Sequence, residues 1–239
     1  ACSPEEPVIN TFVDEWRLVA ASGSADLSST TVPDGETILV NPLNVDFGTS
    51  PTMLRFRDRI YIFSSSRPWI IVYDAEKLVY TDTIVTTGQL DGISDICFAN
   101  ATTAYAASPA GRCIGVIDLM ASRLASVIPT PGAPRQVASL GNQICVTLPD
   151  SNTVVIIDSR LNSVIDKISI PDKPWYVRDD PNANVFCIVS LGAGKIDAEA
   201  QTTPKITFLS PSTREILKTL DVTVKASEGP KQIPRGLAI

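Results

Sequence analysis

The segment Gln143-Ile144-Cys145-Val146-Thr147-Leu148-Pro149-Asp150-Ser151-Asn152-Thr153-Val154-Val155-Ile156-Ile157-Asp158 decides the fold. Two apolar, β-branched runs flank a break of proline, aspartate, serine and asparagine. Strand formers on either side of turn chemistry read as a hairpin. Working outward, a strand over 136–140 precedes this hairpin across Gly141-Asn142, and one over 163–170 follows it across Ser159-Arg160-Leu161-Asn162. Residues 134–173 thus read as four short antiparallel strands with no helical periodicity.

The unit recurs. Val72-Tyr73-Asp74-Ala75, Val116-Ile117-Asp118-Leu119, Ile156-Ile157-Asp158-Ser159 and Phe208-Leu209-Ser210-Pro211 align, and each leads through a polar stretch into a second alternating run, at 78–85, 124–128, 164–170 and 216–222. Units open at Pro51, Ile93, Pro134, Pro174 and Pro234, at spacings of 42, 41, 40 and 60 residues. A period near 40 residues holding four strands is the pattern of a β-propeller blade. The last spacing is longer because 191–204 is inserted between the second and third strands of its unit, and further residues precede Pro234.

The chain ends fit the same scheme. Residues 16–22, 30–32 and 38–47 read as the second, third and fourth strands of a blade, and 234–239 as a first strand. The expectation is an all-β propeller of four-stranded antiparallel blades, five in number, with N- and C-terminal strands sharing one blade. That arrangement leaves no open sheet edge. The alternative is a fragment of a larger six- or seven-bladed propeller. Residues 15–239 form the propeller domain, and 1–14 are a polar, proline-spaced tether.

The run Asn152-Thr153-Val154-Val155-Ile156-Ile157-Asp158-Ser159-Arg160-Leu161-Asn162-Ser163-Val164-Ile165-Asp166-Lys167-Ile168-Ser169-Ile170-Pro171-Asp172-Lys173-Pro174 resembles the YVTN-repeat family. Its consensus is a valine-rich strand into Ile-Asp, a polar turn, a Val/Ile strand and Gly-x-x-Pro. The resemblance is closest in this unit, weaker in the others, and extends over roughly 15–239. The Tyr-Val-Thr-Asn tetrapeptide itself is absent. The resemblance implies an exported bacterial or archaeal protein, periplasmic or attached to the outer membrane or cell surface. Such repeats specify a fold and not a reaction.

The start, Ala1-Cys2-Ser3-Pro4-Glu5-Glu6-Pro7, resembles the end of a bacterial lipobox followed by a lipoprotein linker, with Cys2 as the lipid attachment site. The bland reading is an incidental cysteine. Cys97, Cys113, Cys145 and Cys187 sit in apolar runs without metal-ligand spacing, so reduced, buried thiols are expected. No stretch approaches the ~18 apolar residues of a spanning helix, so membrane contact is expected only through a lipid on Cys2.

The formal net charge is −6 with no basic block, which argues against nucleic acid as a partner. The sequence has no histidine. That removes Ser-His-Asp and Cys-His catalysis, imidazole-bound metals and the commonest general base near neutral pH. Lactonase-like propellers resemble this repeat, but their catalytic histidine has no counterpart. Asp74, Asp118 and Asp158 recur one per blade, and are expected to hold the backbone of the following turn rather than to converge on an ion. No cofactor, metal or catalytic residue is assigned.

Loops between second and third strands share one face of a propeller with those joining consecutive blades. Both long insertions fall in this set, with Lys195 in one. The blade-start positions Thr52, Ser94, Arg135, Trp175 and Arg235 are expected around the channel mouth on that face, with Arg67 and Trp69 in another of its loops. Arg135, Trp175, Arg235, Arg67, Trp69 and Lys195 are the candidate binding residues, suited to an anion or a partner's carboxylate. The expected function is a non-catalytic binding or scaffold propeller of the cell envelope, facing a protein or other envelope component. The alternatives are a carbohydrate-active or lactone-opening enzyme using carboxylates, and an accessory subunit of a larger assembly.

Overall fold

The computed structural model describes residues 46–192 and 204–222, together with the backbone of three strands nearer the N-terminus. Those three, β1 (Trp16–Ala21), β2 (Leu27–Val32) and β3 (Thr37–Leu39), form one antiparallel sheet in that order. Four complete four-stranded sheets follow. The first contains β4 (Thr52–Phe56), β5 (Arg59–Phe63), β6 (Trp69–Asp74) and β7 (Tyr80–Val85). The second contains β8 (Asp95–Phe98), β9 (Thr103–Ser108), β10 (Cys113–Asp118) and β11 (Arg123–Pro129). The third has β12 (Val137–Leu140), β13 (Gln143–Leu148), β14 (Thr153–Asp158) and β15 (Ser163–Ser169), and the fourth β16 (Pro174–Asp180), β17 (Val185–Ser190), β18 (Lys205–Leu209) and β19 (Ile216–Asp221). Every neighbouring pair is antiparallel, and strand order follows chain order within each sheet.

These are the blades that the spacing predicts. The 191–204 insertion falls between β17 and β18, where the sequence places it. The three N-terminal strands overlap those expected at 16–22, 30–32 and 38–47: the second begins earlier, at Leu27, and of the third Thr37–Leu39 lies among the described residues. The expected tether and the strand at 234–239 lie outside the described residues, as does the pairing of the two chain ends.

The second and third complete sheets are each covered on both faces by their neighbours. Ile144, Val146, Val155 and Ile157 on one face of the third sheet pack against Tyr105, Ile114 and Val116 of the second. Cys145, Val154 and Ile156 on its other face pack against Val177, Phe186 and Ile188 of the fourth. This explains why β14 reads Thr-Val-Val-Ile-Ile-Asp without alternation: all six residues are buried. A strand buried on both sides gains apolar contact at every position. The inner strands β8, β12 and β16 lie beside one another, as strands lining a central axis do.

The hairpin joining the third and fourth strands repeats in atomic detail. A β-bulge falls at Val72/Tyr73, Val116/Ile117, Ile156/Ile157 and Phe208/Leu209. The Asp74, Asp118 and Asp158 carboxylates then accept backbone N–H groups of the turn, from Lys77 (2.8 Å), Ala121 (3.0 Å) and Arg160 (2.8 Å). Four residues on, Leu78, Ser122, Asn162 and Arg214 take left-handed φ values of 53°, 47°, 50° and 61°. The recurrent aspartates therefore hold turns, as expected, and among the described residues no group of acids converges to hold a metal ion. Cys97, Cys113, Cys145 and Cys187 are free and buried.

Candidate functional site

Three of the blade-start residues, Ser94, Arg135 and Trp175, form a continuous row. The Ser94 hydroxyl donates to the Arg135 carbonyl at 2.8 Å, linking the second sheet to the third. The Arg135 guanidinium lies 4.8 Å from the Trp175 ring centroid, linking the third to the fourth. A register shift between Pro174 and Tyr176 makes Trp175 the extra residue of a bulge. A bulge re-aims the side chain it carries, and this one sets the half-buried indole beside Arg135. Arg135 is exposed, and among the described residues it pairs with no carboxylate.

Beneath this row runs a second set of bonds. Asp95 Oδ2 accepts the Val137 N–H at 3.1 Å, and Gln136 Oε1 accepts the Val177 N–H at 3.1 Å. Asp95 and Gln136 directly follow Ser94 and Arg135, so the second and third sheets each lend one side chain to the edge of the next inner strand. Unpaired edge N–H groups are costly when buried, and these two are satisfied between blades. Arg178 Nη1 stands 3.9 Å from Asp95 Oδ2. Burial pushes the Asp95 carboxyl up to about 6, against the lowering effect of the Val137 N–H and of the Arg178 and Arg135 charges.

Arg67 and Trp69 form a cluster of their own further out, at the entrance to the third strand of the first sheet. Arg67 Nε donates to Asp46 Oδ2 at 2.9 Å, and Nη2 reaches the same oxygen. Trp69 Nε1 donates to the Asp46 carbonyl at 3.2 Å, and the Arg67 guanidinium lies 5.7 Å from its ring. The Arg67 hydrogen bond, aided by the Gly48 N–H, holds the Asp46 carboxyl below the usual range. Arg67 is thus engaged by a carboxylate, whereas Arg135 forms no ion pair among the described residues. The structure brings Arg135 and Trp175 together, and separately Arg67 and Trp69. Arg235, Lys195 and Cys2 lie outside the described residues.

Sequence reasoning passed over Asp95, Gln136 and Asp46. For the first two a signal existed: taking the repeat alignment one residue beyond the blade-start row finds polar side chains at both positions. Asp46 precedes the first complete unit, so no repeat pointed to it. Asn100, in the formal glycosylation motif Asn100-Ala101-Thr102, accepts the Thr102 N–H at 2.9 Å and serves its own turn.

No protein-family model matches the sequence, and no curated protein matches it. Solved structures do match in shape. Hydrazine synthase of Kuenenia stuttgartiensis superposes with a TM-score of 0.67 at 17% identity, over 86% of this chain and 63% of that one. Dihydro-heme d1 dehydrogenase NirN, in complex with DHE, gives 0.66 at 11% identity, over 86% of this chain and 44% of that one. The chain spans less than two thirds of either protein, and at these identities the likeness concerns architecture alone. The chain has the β-propeller fold.

Proposed function

We propose that this propeller is a non-catalytic binding or scaffold module of the cell envelope, and that the row Ser94, Arg135 and Trp175 is where it meets a protein or other envelope partner. The observation that carries the reading is the exposed Arg135 guanidinium, which no carboxylate engages among the described residues, stacked against Trp175. A stacked guanidinium keeps its in-plane N–H donors for a carboxylate or similar planar anion while its face is fixed by the ring. Arginine and tryptophan are also among the residue types that most often dominate binding energy in interfaces.

The repeat pattern around Asp158 supports membership of the YVTN type, and with it the export that the resemblance implies. Against a carboxylate enzyme stands the use of Asp95. It is the one carboxyl pushed upward among the described residues, but it is buried and engaged by Val137 and Arg178. Catalytic acids need access to substrate.

A photoreactive amino acid in place of exposed Lys173, two residues before Trp175, tests the reading in envelope fractions. One adduct that disappears with Arg135→Ala, and is not formed from Leu161 in an outer turn, is expected. Adducts that ignore the Arg135 substitution, or form equally from position 161, would refute it.

A further inference from the structure

The opposite face of the propeller carries the turns joining first to second and third to fourth strands. In the first complete sheet the turn between β4 and β5 reads Arg55-Phe56-Arg57-Asp58-Arg59, three arginines and one aspartate in five residues of a chain whose net charge is −6. Its aromatic residue is an anchor: Phe56 stacks flat on Phe98 at the end of β8 in the next sheet, with centroids 4.2 Å apart and an interplanar angle of 1°. Arg59 is used within the fold, its Nη1 reaching the Leu119 carbonyl of that neighbouring sheet at 3.4 Å.

Arg55 and Arg57 are placed differently. Both are exposed, and neither has a carboxylate partner among the described residues. Arg55 spends one donor, Nε, on the Arg57 carbonyl at 3.2 Å, and its two terminal nitrogens make no hydrogen bond among the described residues. Arg57 sits at φ 57°, in the left-handed region that a non-glycine residue adopts at a cost, and its guanidinium lies 5.6 Å from the Phe56 ring. The two guanidiniums are therefore oriented by backbone and aromatic contacts before any partner arrives, which lowers the ordering cost of binding.

We propose that residues 55–59 form a second docking point, on the face away from the channel mouth, for carboxylates of an acidic polypeptide segment. Three features select this partner. Two free guanidiniums are too few for the many-phosphate contacts that hold a nucleic acid. An anionic lipid surface binds through several cations spread over a face, and here Asp58 and Glu76 interrupt the patch within an acidic molecule. Short-range bidentate pairing with side-chain carboxylates needs only an oriented fork, and that is what Arg55 and Arg57 offer. This inference does not depend on the reading of Arg135.

The test uses the full chain and a fluorescein-labelled glutamate-rich peptide, followed by fluorescence anisotropy at low salt. Wild type binds, Arg55→Ala/Arg57→Ala weakens binding about tenfold or more, and Arg123→Ala, which removes an exposed guanidinium already paired with Asp118, leaves it unchanged. The charge-conserving pair Arg55→Lys/Arg57→Lys also weakens it, because an ammonium cannot reproduce the fork. Absence of wild-type binding, equal binding by the double alanine variant, an equal loss in Arg123→Ala, or binding to phosphatidylglycerol vesicles without binding to the peptide would overturn the proposal.

Discussion

The Asp95 carboxylate of the second sheet accepts the Val137 N–H of the third across 3.1 Å. It supplies the acceptor that the inner edge of β12 would otherwise take from water. Its cost is a buried charge, partly compensated by Arg178 at 3.9 Å and by the charge of Arg135.

That cost makes stability depend on pH in a defined direction. Burial raises the folded-state value to about 6 from 3.8, so the protonated acid favours the folded state. Its contribution is fully present below the unfolded value and is lost as pH rises through about 6. Between pH 4 and 7.5, Asp95→Asn should gain on the wild type by on the order of 2 kcal/mol in urea unfolding. The remaining carboxyls are common to both proteins and cancel, so a gap that does not move with pH would contradict the assignment.

Gly92 has φ +127°, and a Cβ built on it would lie 2.1 Å from the Ser65 carbonyl oxygen, a backbone atom that cannot swing aside. Gly92→Ala is expected to destabilise by roughly 2 kcal/mol or more, lowering the melting temperature. Gly141→Ala, at φ +60° with open space around it, should cost less. Equal melting temperatures for the two variants would show that the loop before β8 is not packed as described.

Burial raises the thiols of Cys97, Cys113, Cys145 and Cys187. Native protein should leave all four unreactive toward a thiol reagent at pH 8, and all four should titrate after denaturation. Rapid native labelling of any of them would mean that a blade face is open.

Arg135→Ala removes an exposed side chain stacked on Trp175, and should cost about 0.5–1 kcal/mol of stability. Intrinsic tryptophan fluorescence should shift as the Trp175 ring loses its cover. Partner capture through the neighbouring Lys173 position should fall far more than stability does. A loss of stability that matches the loss of capture would make the pair a packing element only.

Much of this fold was legible because each blade repeats local chemistry. The bounds of β13 and β14 coincide with those read from the hairpin segment, since Pro149 and Asn152 break the strands where turn geometry demands. The four sheets followed from the spacing of equivalent dipeptides such as Ile157-Asp158. The candidate site was half legible. Blade symmetry put Ser94, Arg135 and Trp175 in one row, yet could not tell a free arginine from a paired one. Arg67 matched Arg135 in type and in face, but Asp46, 21 residues earlier in the chain, engages it.

By itself, then, the sequence determined the four-stranded unit, its repetition, its capped turns and the lack of imidazole chemistry, since each of these is set by residues close together in the chain. Only the tertiary structure decided which blade supplies an acceptor to which edge, that Arg135 lies on Trp175, and that Arg55 and Arg57, beside a stacked pair of phenylalanines, meet no carboxylate among the described residues. Those relationships join residues some 40 positions apart, and they arise from the packing of one sheet on the next.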